Sequence, residues 1–316
     1  MTTEPLHRQM RAAASALLTA LTAEQRALAA LPFADDDTRR WLEYRPESRP
    51  GACIDGVSGP ARKAAHRLLA TALSEHAYAQ AMGIIALEEV LDRREGWARG
   101  RHSDDYWVAV FGDPAGDDPW AWRFEGHHVS VSMTIAGEGV SPAPVFLGAN
   151  PARVSYAGRV VSRPLAPEED LARALLDALG PAGRAAAVVA DEAPVDIRSA
   201  RSPRLTGTIE PAGLAAGQLE PTARALLDQL VALYLDRLPA ELAAREAARI
   251  GAGELHFAWE GPVLPGTRHY YRVQGDDLLI EYDQTADANH AHTVLRRPRS
   301  DFGDDVLAAH YHQAHA

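Results

Sequence analysis

Two hydrophobic periods alternate along the chain. Residues 5–31 place apolar groups every three or four positions, interrupted by Thr, Glu, Gln and Arg, the spacing of an amphipathic helix. After a loop rich in Asp, Arg and Pro, "SGPARKAAHRLLATALSEHAYAQAMGIIALEEVLDRREG" repeats that helical spacing through Leu68, Leu69, Leu73, Ile84, Ile85 and Leu91, with Gly59-Pro60 as its start and Gly96 as its stop. From residue 105 the period falls to two. "DYWVAVFG" reads as an apolar strand, "DPAGDDP" as a turn, and "WAWRFEGHHVSVSMTI" as two strands pivoting near Gly126. Helical spacing returns in "PEEDLARALLDALGPAGRAAAVVA" and "PTARALLDQLVALYLDRLPAELAAREAARI". Strands follow in "ELHFAWEGPVLPGTRHYYRVQGDDLLIEYDQ", and a short helix, "DDVLAAHYHQAHA", comes last.

This order predicts an α+β protein with helices packed on antiparallel strands. The segments are 1–104 (helices with an aromatic and arginine-rich loop), 105–164 (first strand hairpin and loop), 165–252 (second helical segment) and 253–316 (second hairpin and C-terminal helix). Residues 106–132 shifted by 149 positions fall on 255–281, where Ala109, Gly112, Arg123 and Gly126 meet Ala258, Gly261, Arg272 and Gly275. "WAWRFEG" then overlies "HYYRVQG", so the chain reads as an internal duplication of a helix-plus-hairpin unit within one compact domain.

Composition narrows the function. Of 316 residues, 47% are apolar and 24% charged, as in soluble globular proteins. The net charge of −11, from 32 Lys and Arg against 43 Asp and Glu, opposes binding to nucleic acid. The single cysteine, Cys53, rules out an internal disulfide and a cysteine-based zinc cluster. The N-terminus lacks the continuous apolar segment of an export signal, and no apolar run has membrane-spanning length. A cytoplasmic protein from a bacterium, without nucleic-acid or membrane partners, is expected. Nucleophile-elbow, P-loop and dinucleotide-binding signatures are absent.

Strand alternation selects the side chains that can act together. In "GHHVSVSMT", His127, Val129, Val131 and Met133 would face the core, and His128, Ser130, Ser132 and Thr134 a polar lining. In "LLIEYDQ", Glu281 and Asp283 share a face; in "NHAHTV", His290 and His292 lie about 7 Å apart on another. Asp287 and Asn289 are good turn formers. If that turn folds the second strand back on the first, Glu281 sits across from the two histidines. His128, Glu281, His290 and His292 are therefore the candidate metal ligands. Two histidines and a carboxylate suit Fe, whereas three histidines suit Cu or Zn. Glu281, Asp283 and Tyr271 are the candidate catalytic groups; Arg123, Arg272, Ser130 and His269 are the candidate substrate contacts. The bland alternatives are an ordinary polar hairpin, arginines that tie loops to strands, and tyrosines that fill the core.

The pieces "DDDTRRWLEYRPESRPG", "YWVAVFGDP", "WAWRFEGHHVSVSMT", "FLGANPARV", "HYYRVQG" and "LLIEYDQTADANHAHTVLRR" resemble the domain of unknown function 3500 family, uncharacterised proteins of bacteria and fungi. The resemblance covers nearly the whole chain and implies no settled activity. Val129-Ser130-Val131 replaces the usual Leu-Ser-Leu after the paired histidines, and Gln284 stands where Asn is common. Together these residues lead to the expectation of a metal-dependent oxidoreductase using Fe or Cu on a small organic substrate. The alternatives are a zinc hydrolase and a non-catalytic protein that binds a small molecule or a partner.

Overall fold

The computed structural model describes residues 4–100, 102–205, 207–251, 253–285 and 288–314. The fold is α+β, with helices and mostly antiparallel strands. It divides into two compact units, Met1–Val145 with Arg299–Ala316, and Phe146–Pro298. Residues 146–149 fall in the second unit, and the helix Asp304–Ala314 packs on strands of the first.

The first unit opens with α1 (Leu6–Ala20) and α2 (Ala23–Ala29). Leu6, Met10, Ala14 and Leu17 recur along one side of α1 and are buried, and α1 packs on α4 (Gly59–Ala72). The Thr22 hydroxyl accepts from the Gln25 backbone N–H while the Gln25 side chain accepts from the Thr22 N–H, a reciprocal cap that starts α2. Between them in the chain lie β1 (Ala30–Leu31), α3 (Asp36–Arg39) and β2 (Ala52–Cys53). Ser58 caps α4 and Ser74 caps α5 (Glu75–Arg94), each hydroxyl accepting a backbone N–H three residues on. A meander follows: β3 (Tyr106–Phe111), β4 (Trp120–Gly126) and β5 (Val129–Ala136), with β6 (Gly139–Ser141) on β5.

In the second unit, residues 146–149 of β7 (Val145–Ala149) run beside the last strand, and β8 (Val154–Tyr156) pairs with β9 (Arg159–Ser162) as a separate hairpin. Then come α6 (Ala166–Ala178), α7 (Gly180–Ala187), β10 (Val188–Ala190), β11 (Leu214–Ala215), α8 (Pro221–Leu235) and α9 (Ala240–Ile250). The meander here is β12 (His256–Glu260), β13 (His269–Gly275), β14 (Leu278–Thr285) and β15 (His290–Arg296). Among the described residues, no helix is long and apolar enough to cross a membrane.

The registers of the two meanders agree under the 149-residue shift. Val108↔Phe124 corresponds to Phe257↔Val273, and Arg123↔Ser132 to Arg272↔Glu281. The edges agree as well. β1 joins β3 in parallel at Val110 and β10 joins β12 in parallel at Trp259; β2 and β11 pair antiparallel at Val108 and Phe257.

Candidate metal centre

In the second unit the meander sorts its side chains onto two unlike faces. His269, Tyr271, Tyr282 and Ala291 lie on one, and Tyr270, Arg272, Glu281, Asp283 and His292 on the other, because paired residues point the same way. The first is an aromatic core beneath α6 and α8. Tyr271 donates its hydroxyl to the Glu168 carbonyl of α6 and shares a hydrogen bond with Tyr234 of α8, both at 2.9 Å. His269 is fully buried and stacks on Trp259 at 4.7 Å, with Tyr282 at 5.4 Å. These placements make Tyr271 and His269 core residues, Tyr271 held in helix packing and His269 in the aromatic stack.

Burial, with Arg173 nearby, lowers the His269 pKa to about 4, so the ring is neutral in the folded protein. The unfolded chain takes up this proton near 6.5. Stability is therefore intact above pH 6.5 and falls as pH drops toward 4, by about 3 kcal/mol from this group. We expect His269→Phe to flatten that part of the pH–stability curve measured by urea unfolding.

The second face is polar and buried, and Arg198, Ser199, Ile209 and Pro211 of the chain between β10 and β11 contact it. Asp283 lies directly opposite His292, whereas Glu281 pairs with Val294 and Thr285 with His290. The expected placement of Glu281 across from the histidines is thus displaced to Asp283, because pairing starts at Thr285↔His290 and the turn sets the register from there. Asp287 of that turn lies outside the described residues. His292 Nδ1 is 3.3 Å from Asp283 Oδ2 and 3.1 Å from Asp196 Oδ1. His290 stands edge-on to His292 with ring centroids 4.6 Å apart. Asp196, Asp283 and His292 each offer one ligand atom within 4.8 Å of the others.

The electrostatics follow from burial. Asp283, at 0% exposure, is raised to about 6 because the low-dielectric site disfavours its charge, even with His292 opposing the rise. Burial alone would lower His292, but the charges of Asp283 and Asp196 push it up to about 10. Two carboxylates thus converge on one nitrogen, and the proton on Nδ1 occupies the kind of place a cation takes.

Glu281 has a different task. It accepts from the backbone N–H groups of Arg198 at 2.6 Å and Ser199 at 3.2 Å, and from the Tyr270 hydroxyl at 2.8 Å. It anchors the loop segment beside Asp196, and burial raises its pKa against those donors. Arg272 is also fully buried: it donates to Glu260 at 2.6 Å and to the carbonyls of Ile209 and Pro211. It secures the same loop.

The first unit repeats the division into faces. Trp122 and Phe124 lie with Met133 and Val131, while Arg123 and Glu125 lie with Ser132 and Ser130. Arg123 donates to the Thr38 carbonyl at 2.7 Å, so it ties α3 to a strand. Glu125, fully buried, accepts from the Ser130 hydroxyl at 2.6 Å and the Glu43 N–H at 2.9 Å, with Arg49 and Arg123 each 3.4 Å away. Ser130 therefore serves Glu125.

His127 and His128 form the turn between β4 and β5. His127 Nδ1 donates to Glu88 Oε1 of α5 at 2.6 Å, and the two imidazoles stack at 3.7 Å. His127 is thus paired with a carboxylate, beyond simple packing among apolar groups. His128 has φ +64°, a left-handed conformation that favours glycine or asparagine and costs about 1–2 kcal/mol in other residues. Of the four expected ligands, His128 belongs to the first unit, and Glu281, His290 and His292 to the second.

Glu88, Glu125, Asp196 and Glu260 escaped sequence reasoning. Glu88 sits mid-helix among many surface acids, and Asp196 lies in a loop with no periodic signal. Only Glu125, alternating with Arg123 on a strand of large apolar groups, carried a readable sign.

The family described as Protein of unknown function (DUF3500) matches residues 4–304. The chain belongs to the DUF3500 family. No curated protein and no solved structure matches it. The match spans both units of this DUF3500 protein, so the His127-His128 turn, the Asp196 loop and the β14–β15 hairpin all lie within the family's extent.

Proposed function

We propose that this DUF3500 protein is a metal-dependent enzyme acting on a small organic molecule, with the metal held by Asp196, Asp283 and His292 and with His290 beside them. The observation that supports it is the convergence of two carboxylates on the His292 nitrogen, on a strand face that a loop contacts. Imidazole and carboxylate donors favour Fe(II), with Zn(II) the next choice, and leave positions for other ligands. Such an Fe(II) would supply oxidoreductase chemistry; a Zn(II) would supply a water of lowered pKa for hydrolysis.

The protein residues have separable roles in this reading. His292 and Asp283 are fixed by strand pairing, and Asp196 is fixed by the loop that Glu281 and Arg272 secure. Donors preformed in this way, with Asp283 and His292 buried and Asp196 partly exposed, bind without large reorganisation. The shared registers and edge pairings of the two meanders also support reading the units as copies of one ancestral helix-plus-hairpin module.

Elemental analysis of untagged protein tests the metal reading. At least about one Fe or Zn per chain is expected, and the Asp283→Asn, His292→Ala double variant should hold about one fewer and lose chelator-sensitive thermal stability. Protein that holds no metal as purified, and whose melting temperature neither EDTA nor added Fe(II) or Zn(II) moves, would refute it.

A further inference from the structure

We propose that Glu88, His127 and His128, all residues of the first unit, form a second divalent-cation site. Each residue presents one ligand atom, and the three atoms lie within 4.8 Å of one another. All three side chains are buried, at 3%, 8% and 2% exposure, so their donors are removed from bulk water. Buried carboxylate and imidazole groups held this close need a proton or a cation among them.

Two further observations point to a ligand. The first is the backbone at His128. A two-residue turn between strands is readily made by glycine or asparagine, which adopt positive φ without difficulty. Here an imidazole occupies that place at φ +64°, which turns its ring onto that of His127. A strained residue held at a concave donor cluster points to a use for its side chain.

The second is the adjoining cavity of about 400 Å³, which Glu88 and His127 border along with Glu47, Asp105, Arg49, Arg99 and Trp107. Its arginines are already engaged. Arg49 lies against Glu125 and donates to the Glu43 carbonyl, while Arg99 lies 3.3 Å from Glu95. Glu47, which pairs with Arg45 at 3.1 Å, Asp105 and Glu88 outnumber Arg49 and Arg99 on the cavity wall by three to two, a slight bias toward a cation over an anion. The chemistry is that of a borderline divalent ion, Zn(II), Fe(II) or Ni(II), bound by nitrogen and oxygen. On loading, the Nδ1 proton that His127 shares with Glu88 leaves to solvent and the cation takes its place.

Equilibrium dialysis of the full chain against Zn(II), read by elemental analysis, tests this and separates it from the metal centre in the second unit. Wild type should hold two equivalents, and both the Glu88→Gln, His127→Asn variant and the Asp283→Asn, His292→Ala variant should hold one. One equivalent in wild type that persists only in the second variant would support this site and refute the centre in the other unit. One equivalent that persists only in the first variant would overturn this site. So would one equivalent lost from both variants alike, or no zinc bound at all. Should the first variant not fold, His128→Asn keeps a residue that tolerates the left-handed backbone. It is expected to weaken one of the two zinc equivalents at least tenfold, and two unweakened equivalents would overturn the site.

Discussion

His292→Ala should destabilise the metal-free protein by about 3 kcal/mol at pH 7.5, one of the largest single-residue effects in the second unit. The substitution removes the positive partner of Asp283 on the facing strand, and it leaves that carboxylate buried near Asp196. Breaking a buried pair by deleting one member costs about 3–5 kcal/mol, and the partial exposure of Asp196 holds the effect to the lower end. The sign of the pH dependence is fixed by the raised pKa of His292. Its stabilisation is complete below about pH 6.5 and disappears as pH climbs toward 10. In the variant Asp283 becomes protonated as pH falls toward 5, so the deficit against wild type shrinks there. Urea unfolding at pH 5 and 7.5 checks both points. Metal adds a second contrast: a ligand at one hundred times its Kd stabilises wild type by about 2.7 kcal/mol and the variant by nothing.

Arg272→Met should cost about 3–5 kcal/mol, with no rescue by Arg272→Lys. Arg272 spans a carboxylate and two backbone carbonyls from a fully buried position, and only a forked guanidinium reaches all three. Its loss leaves Glu260, 1% exposed, with Arg198 as its remaining partner among these groups. The double variant Arg272→Met, Glu260→Met should recover much of the loss, because matched apolar groups need no counter-charge. A double-mutant cycle measured by chemical unfolding would show coupling of at least about 2 kcal/mol. Additive losses would show that the two groups act apart. Since Arg272 holds the loop carrying Asp196, Arg272→Met should also accelerate proteolysis within 191–213.

Much of the architecture was legible in side-chain period. Helical spacing located α1, α4, α5, α6 and α8, although the runs read as continuous over 5–31 and 59–96 are broken where the Thr22 and Ser74 hydroxyls cap new helices, and period-two runs located β3–β5 and β12–β14. The alternation in "GHHVSVSMT" assigned Val129, Val131 and Met133 to the apolar face and Ser130 and Ser132 to the polar one, as the pairing with Phe124, Trp122, Glu125 and Arg123 bears out. Those signals are local, arising from which side of a helix or pleated strand each residue occupies.

The chemistry was less legible, because its decisive contacts join residues far apart in the chain. The face carrying Asp283 and His292 is written in the sequence, but Asp283 rather than Glu281 opposes His292 only because pairing begins at Thr285↔His290. Asp196 reaches His292 from 96 positions away, and Glu88 reaches His127 from 39. The sequence by itself determined the α+β class, the sorting of each strand into apolar and polar faces and the kinds of donors on the polar ones. Only the tertiary structure decided register and loop closure, and so which carboxylate meets which imidazole, because a one-residue slip or a different loop path changes every partner without changing the pattern.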